Sequence, residues 1–195
     1  MDGWLENVIR QIILYSLPVL ISLTIVSLAE SKLTGKDTHH PFHAVSWAGT
    51  WLPWLASILF GRGMIIALSK PVEGGVKSTA YRFFSHLLLC GLGFMLYSWS
   101  LSHQPPTGLP PLHHWWAKVL MFFNLCMACM HLLPLPGQIT GELLLDCRWV
   151  SAAHRHSIKQ HPALIHAIMA ATPLLDGSIG AIMVFPVYEH LANLA

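Results

Sequence analysis

Five polar residues interrupt apolar runs in this 195-residue chain: His86, Asn124, His131, His166 and Asp176. An ionisable side chain at membrane depth is costly, so it faces a bundle interior or a water-filled cavity. Imidazoles placed there could relay protons, ligate haem axially or line a buried ligand pocket. The plainer reading is hydrogen bonding that holds neighbouring helices together. Asn124 and His131 lie seven positions apart and therefore share nearly one helix face. His166 and Asp176 lie ten apart, roughly one face if a helix continues through Pro173. The chain holds 13 histidines. His39, His40 and His43 form one local cluster, and His154 and His156 another, both in expected surface loops. Interfacial imidazole and a weak surface metal site are the two readings of these clusters. Cys126 and Cys129 have redox spacing, but a thiol inside an apolar helix stays protonated and inert. Packing is the expected role for both, as for Cys90, and the four cysteines do not suggest a disulfide framework.

The elements that must position these groups are membrane helices. The chain is 54% hydrophobic and 10% charged, against about 25% charged in soluble domains. Apolar runs cover 11–29, 45–68, 83–101, 115–135 and 163–188, several of them near the roughly 20 residues that span a bilayer. The expectation is an all-α, polytopic transmembrane bundle forming a single domain over 1–195. The run 45–68 is broken by Gly49, Pro53, Gly61, Arg62 and Gly63. Lys32 and Lys36 flank it on one side, Lys70 and Lys77 on the other, which favours a re-entrant or broken element over a straight crossing. The formal net charge of +2 comes from scattered basic residues and implies no nucleic-acid partner.

Four stretches carry a resemblance. In the first, Asn124, Ala128, Leu132, Leu133, Pro134 and Pro136 fall in register with Asn-x-x-x-Ala-x-Phe-Asn-Leu-Leu-Pro-Ile-Pro-Pro-Leu-Asp-Gly. In the second, Pro41, Gly49 and Thr50 match Asn-Pro-Leu-Arg-His-Ile-Asp-Pro-Ile-Gly-Thr. In the third, Lys70, Pro71 and Val72 match a Lys-Pro-Val loop. In the fourth, Cys90-Gly91-Leu92 stands where one bacterial branch has Ala-Gly-Pro. Together these resemble the site-2 protease family of intramembrane zinc metalloproteases. The resemblance spans roughly residues 1–145, leaving 146–195 as a C-terminal loop and final membrane segment. It implies the family's helical core, with structural roles for the matching residues.

The same resemblance implies a zinc site, and the residues for it are missing. The family holds zinc with His-Glu-x-x-His, where two His one helical turn apart ligate and the Glu activates water. The corresponding turn falls near Leu23-Thr24-Ile25-Val26-Ser27, in a segment with neither His nor Glu. The metal-binding Asp of the leucine-proline motif is replaced by Ile139. The expectation is a pseudoprotease: no catalytic residues, no metal ligands and no cofactor, in contact with membrane lipid. It would serve as a binding or assembly subunit with a membrane-protein partner, in a bacterial inner membrane. Two alternatives stand beside it. One is a small subunit of a membrane redox or transport complex, with haem or a metal on intramembrane histidines. The other is an active protease with a rebuilt metal site.

The segment 102–114 lacks Lys and Arg, whereas 137–160 carries Arg148, Arg155 and Lys159. By the positive-inside rule the first faces outside and the second inside. A cysteine introduced at Thr107 should label with an impermeant reagent added outside, and one at Ser151 should not. The reverse pattern would invert the topology.

Overall fold

The structure, a computed structural model, describes residues 2–35, 44–69, 75–103, 107–146 and 162–195. All regular elements among them are helical: α1 (Asp2–Thr34), a π-helical turn (Trp47–Trp51) running into α2 (Leu52–Leu59), α3 (Gly75–Ser102), α4 (Leu112–Met130), α5 (Ile139–Asp146), α6 (Pro162–Ala171), and a π-helical stretch (Asp176–Val184) running into α7 (Phe185–Leu194). Pro41, Lys70, Pro71, His39, His40, His43, His154 and His156 lie outside the described residues.

The long helices are inside-out relative to those of a soluble protein. On α1, Leu5, Ile9, Ile13, Leu17, Ile21 and Ile25 are exposed at four-residue spacing, one continuous stripe. The stripe turned inward holds Val19, Ser22, Leu23, Val26 and Glu30. The contrast sharpens on α3. Its buried positions include Ser78, Thr79, Arg82, Ser85, His86 and Ser100, while Phe84, Leu88, Met95 and Trp99 face out. Such a surface suits hydrocarbon rather than water.

Two helices, Gly3–Thr34 and Gly75–Ser102, are long and apolar enough to cross a membrane. Pro162–Ala171 and Asp176–Leu194 together add a third if read as one span, although they meet at 82°. The run 115–135 was expected to span as well. Its helix α4 falls outside that length-and-composition class and is the enclosed helix, buried without interruption from Val119 to His131. His113, His114, Lys118 and Asn124 dilute its apolarity, and it lies against α1, α3 and the C-terminal π-helical stretch. α4 closes at Met130, three-residue turns carry the chain on, and Pro134 has no proton with which to resume the helix.

The segment 44–69 leaves and returns. Leu68 N–H donates to Gly49 O at 3.0 Å, and Thr50 Oγ1 donates to Leu68 O at 2.6 Å. The two ends of the hairpin are thus laced together, and the segment returns to where it began. Its turn uses Gly61 at φ +60, a left-handed conformation that favours glycine. The returning strand-like stretch, Met64 to Ala67, is almost wholly enclosed.

α3 and α4 pack most closely at Gly93. A Cβ added there would stand 2.5 Å from the Met121 nitrogen, so the two backbones touch. Gly91, two residues earlier in the Cys-Gly-Leu stretch, has open space around it. Gly93→Ala should force the helices apart and cost about 1–3 kcal/mol. Gly91→Ala should be neutral or stabilising by up to about 1 kcal/mol through helix propensity. Thermal melting of both variants in detergent checks this; equal melting temperatures would refute the close contact.

Candidate functional site

Asn124 is fully buried in the middle of α4, and each of its polar atoms is spoken for. Its Nδ2 donates to Ser22 Oγ on α1 at 2.8 Å and to Leu120 O on its own helix at 2.8 Å. Its Oδ1 is left to accept, and His86 Nδ1 on α3 lies 2.8 Å away. His86 therefore carries its proton on Nδ1. Ser22 in turn donates to Pro18 O at 2.7 Å. One amide pins three helices, and the chain of donors runs in a single direction from His86 through Asn124 and Ser22 to a backbone carbonyl.

His131 caps α4 two turns further on, and its ring centroid stands 6.0 Å from that of His86. Only 2% of its surface is exposed, and its Nδ1 meets no hydrogen-bond partner among the described residues. Phe83 and Phe123 flank this histidine pair edge-on.

A second, charged group lies at the same end of the bundle, where the end of α1 meets the start of α3. Arg82 Nε is 3.4 Å from Glu30 Oε1, and the Ser78 hydroxyl donates to that same oxygen. Arg82 Nη2 donates to Gly137 O at 3.2 Å, while Gly137 N donates to Glu142 Oε1 at 3.1 Å. Gly141 makes this possible: a Cβ there would fall on the Leu135 carbonyl, so only glycine lets α5 close on the turn after α4. Beside this group, Gln138 Nε2 and His166 Nε2 are 3.1 Å apart, and His166 Nδ1 reaches Pro162 O at 2.7 Å. A carbonyl can only accept, so His166 is protonated on Nδ1 and its Nε2 accepts from Gln138.

Four of the five residues singled out from sequence, His86, Asn124, His131 and His166, thus lie on the bundle's inward faces. Asp176 does not join them. The helix breaks between α6 and the π-helical stretch, so His166 and Asp176 do not share a face. Nor does Asp176 cap its own helix. Its Oδ2 and Oδ1 accept from Gly63 N at 3.0 Å and Met64 N at 2.7 Å, clamping the turn of the hairpin. Gly49 and Thr50 close the base of that hairpin, and Pro134 and Pro136 shape the turn between α4 and α5.

Arg82, Glu30, Glu142 and Gln138 were not singled out from sequence. Arg82 is 6% exposed inside α3 and is neutralised by a carboxylate. One signal was available: Glu30 follows Ser22 and Val26 at helical spacing, on the inward stripe of α1. Ile139, where the resemblance loses its Asp, opens α5, and the polar side chain beside it that turns inward is Gln138. At the opposite end, Ser100 donates to Tyr97 O at 2.7 Å and so accepts from His114 Nδ1 at 2.9 Å, tying α3 to α4.

Among the described residues, no group of three or more His, Cys, Asp or Glu is placed to hold a metal ion. No protein-family model matches the chain. Comparison with curated proteins and with solved structures also finds no match. What the arrangement can do chemically is hold helices together through saturated hydrogen bonds, and present one unsatisfied imidazole nitrogen next to a second imidazole.

The saturation of Asn124 generates a coupled expectation. Asn124→Leu should destabilise by about 1–2 kcal/mol. Ser22→Ala should destabilise when made alone and add little once Asn124 is gone, because its partner is already lost. A double-mutant cycle on detergent-solubilised protein measures this. Strict additivity would show that the three groups do not act as a unit.

Proposed function

We propose that this chain is a catalytically inactive membrane protein on a site-2 protease-like scaffold, serving as a binding or assembly subunit of a bacterial inner-membrane complex. One observation carries the reading. On the face of α1 that the resemblance assigns to metal binding, the inward residues are Val19, Ser22, Leu23 and Val26. Three are hydrocarbon, and the single hydroxyl is spent on Asn124 and Pro18. Neither a ligand nor a general base is available from this stretch of α1; the nearest inward carboxylate, Glu30, is taken by Ser78 and Arg82. Two features shared with the motif, Asn124 and the Pro134–Pro136 turn, are occupied in packing. A scaffold that keeps its joints without its reaction centre retains a surface for partners and lipid.

A second reading has one observation in its favour. His131 Nδ1 is buried and unsatisfied, next to His86. Two facing imidazoles are a starting point for a redox cofactor or an axially ligated haem, as in a small subunit of a redox or transport complex.

Purification from native membranes without a polyhistidine tag separates these readings. The proposal expects a stoichiometric membrane-protein partner by mass spectrometry, less than about 0.1 zinc per chain by elemental analysis and no Soret band. About one tightly held zinc per chain would overturn the pseudoprotease reading. A Soret band lost in His131→Leu would establish the second.

A further inference from the structure

The hairpin's turn borders a cleft of about 350 Å³ between α1, α4 and α7. Gln11, Tyr15, Arg62, Lys118, Phe122 and Tyr188 are among its walls. The cleft is at the end of the bundle opposite the Glu30–Arg82 pair. Lys118 sits six residues into α4, about 9 Å along the helix axis.

Its polar groups are left open in a complementary way. Arg62 Nε donates to Ala171 O at 3.1 Å, which fixes the guanidinium and leaves both terminal amino groups without a described partner. The Lys118 ammonium approaches the Tyr97 ring centroid at 5.7 Å and has no carboxylate partner among the described residues. Asp176, the carboxylate at this turn, has both oxygens taken by the Gly63 and Met64 N–H groups. The Tyr15 and Tyr188 hydroxyls bond to no described residue. Against these donors stands one acceptor: Gln11 Oε1 is buried and unsatisfied. Arg62 and Lys118 are only partly buried, at the end of an apolar bundle, and one anion between them would balance both charges.

We propose that this cleft binds a phosphate ester whose neighbouring carbons carry a hydroxyl or an amine. The planar Arg62 fork and the Lys118 point charge suit phosphate oxygens arriving from two elements. The tyrosine hydroxyls can donate to the remaining oxygens. Gln11 accepts from the hydroxyl or amine. The apolar wall around Phe122 and Ile65 accommodates the hydrocarbon beside it. Two sources supply this chemistry, a glycerophospholipid headgroup and a free glycerol phosphate. The site stands independently of any partner protein.

The test is thermal melting of the full chain in an uncharged detergent. It is titrated separately with phosphatidylglycerol, phosphatidylcholine and glycerol 3-phosphate. The expected result is a saturable rise in melting temperature with phosphatidylglycerol, and a smaller one with phosphatidylcholine, whose headgroup has no donor. Lys118→Gln and Arg62→Gln should each weaken the apparent affinity about tenfold, the loss of one charged hydrogen bond. Gln11→Leu should erase the difference between the two lipids. Because Arg62 also ties the hairpin to α6, Arg62→Lys is the control that keeps charge; it should retain more affinity than Arg62→Gln. A response to glycerol 3-phosphate equal to that for phosphatidylglycerol assigns the site to a free anion; a response to lipid alone assigns it to a headgroup. The absence of any saturable shift, or equal shifts in wild type and both charge-removing variants, overturns the proposal.

Discussion

A primary amide in a hydrocarbon-lined interior has two donors and an acceptor to satisfy, and no water to do it. Asn124 meets that demand with one partner from each of α1 and α3 and one from its own helix. The rest of the bundle follows from this arrangement. Ser22 must face inward, so the stripe Val19, Ser22, Leu23, Val26 becomes the buried face of α1. His86 must meet the amide from the other side, which sets the rotation of α3. With that rotation, Gly93 falls where α3 and α4 touch, and Arg82 falls beside Glu30. An amide here specifies register more sharply than leucine could, because apolar contacts between helices have little advantage over contacts with lipid.

The irregular backbone obeys the same accounting. A hairpin with an extended return stretch exposes N–H and C=O groups that a membrane cannot solvate. The structure supplies partners from far away in sequence. The base is closed by Gly49 and Thr50 against Leu68, and the turn by Asp176. Arg62 returns the favour by taking the Ala171 carbonyl at the end of α6, where the helix's own donors have run out. The sharp bend after α6 and the sharp turn of the hairpin are therefore complementary: each leaves groups unpaired that the other satisfies.

Much of the fold was legible because membrane sequences carry their burial pattern openly. The apolar runs 11–29 and 83–101 fall inside α1 and α3, which extend beyond them by up to nine residues, and the broken run 45–68 coincides with the hairpin. Asn124 stood out as a polar residue in a hydrocarbon run. Hydropathy does not distinguish a helix facing lipid from one enclosed by other helices, so the enclosure of α4 is visible only in the packed bundle. The burial of Arg82 depends on Glu30, which is on a helix whose register against α3 cannot be read from either segment alone. Asp176 was placed with His166 on the assumption of an unbroken helix; Pro173 and the 82° bend remove it to the hairpin turn. The resemblance carried in the leucine-proline motif accounts for a turn and a buried amide, and its other local matches lie partly outside the described residues.

The Asp176 clamp also imposes an order of events on synthesis. Gly63 N–H and Met64 N–H are bonded to a carboxylate 113 and 112 residues later in the chain. At a translation speed of 5–20 residues per second, that partner emerges roughly 6–22 seconds after the turn. For that interval the turn is incomplete, with two adjacent donors that only water or a chaperoning protein can satisfy. The turn therefore closes only after the segments that form α3 and α4 have been made. An early irregular element of the fold is thus locked by a late one.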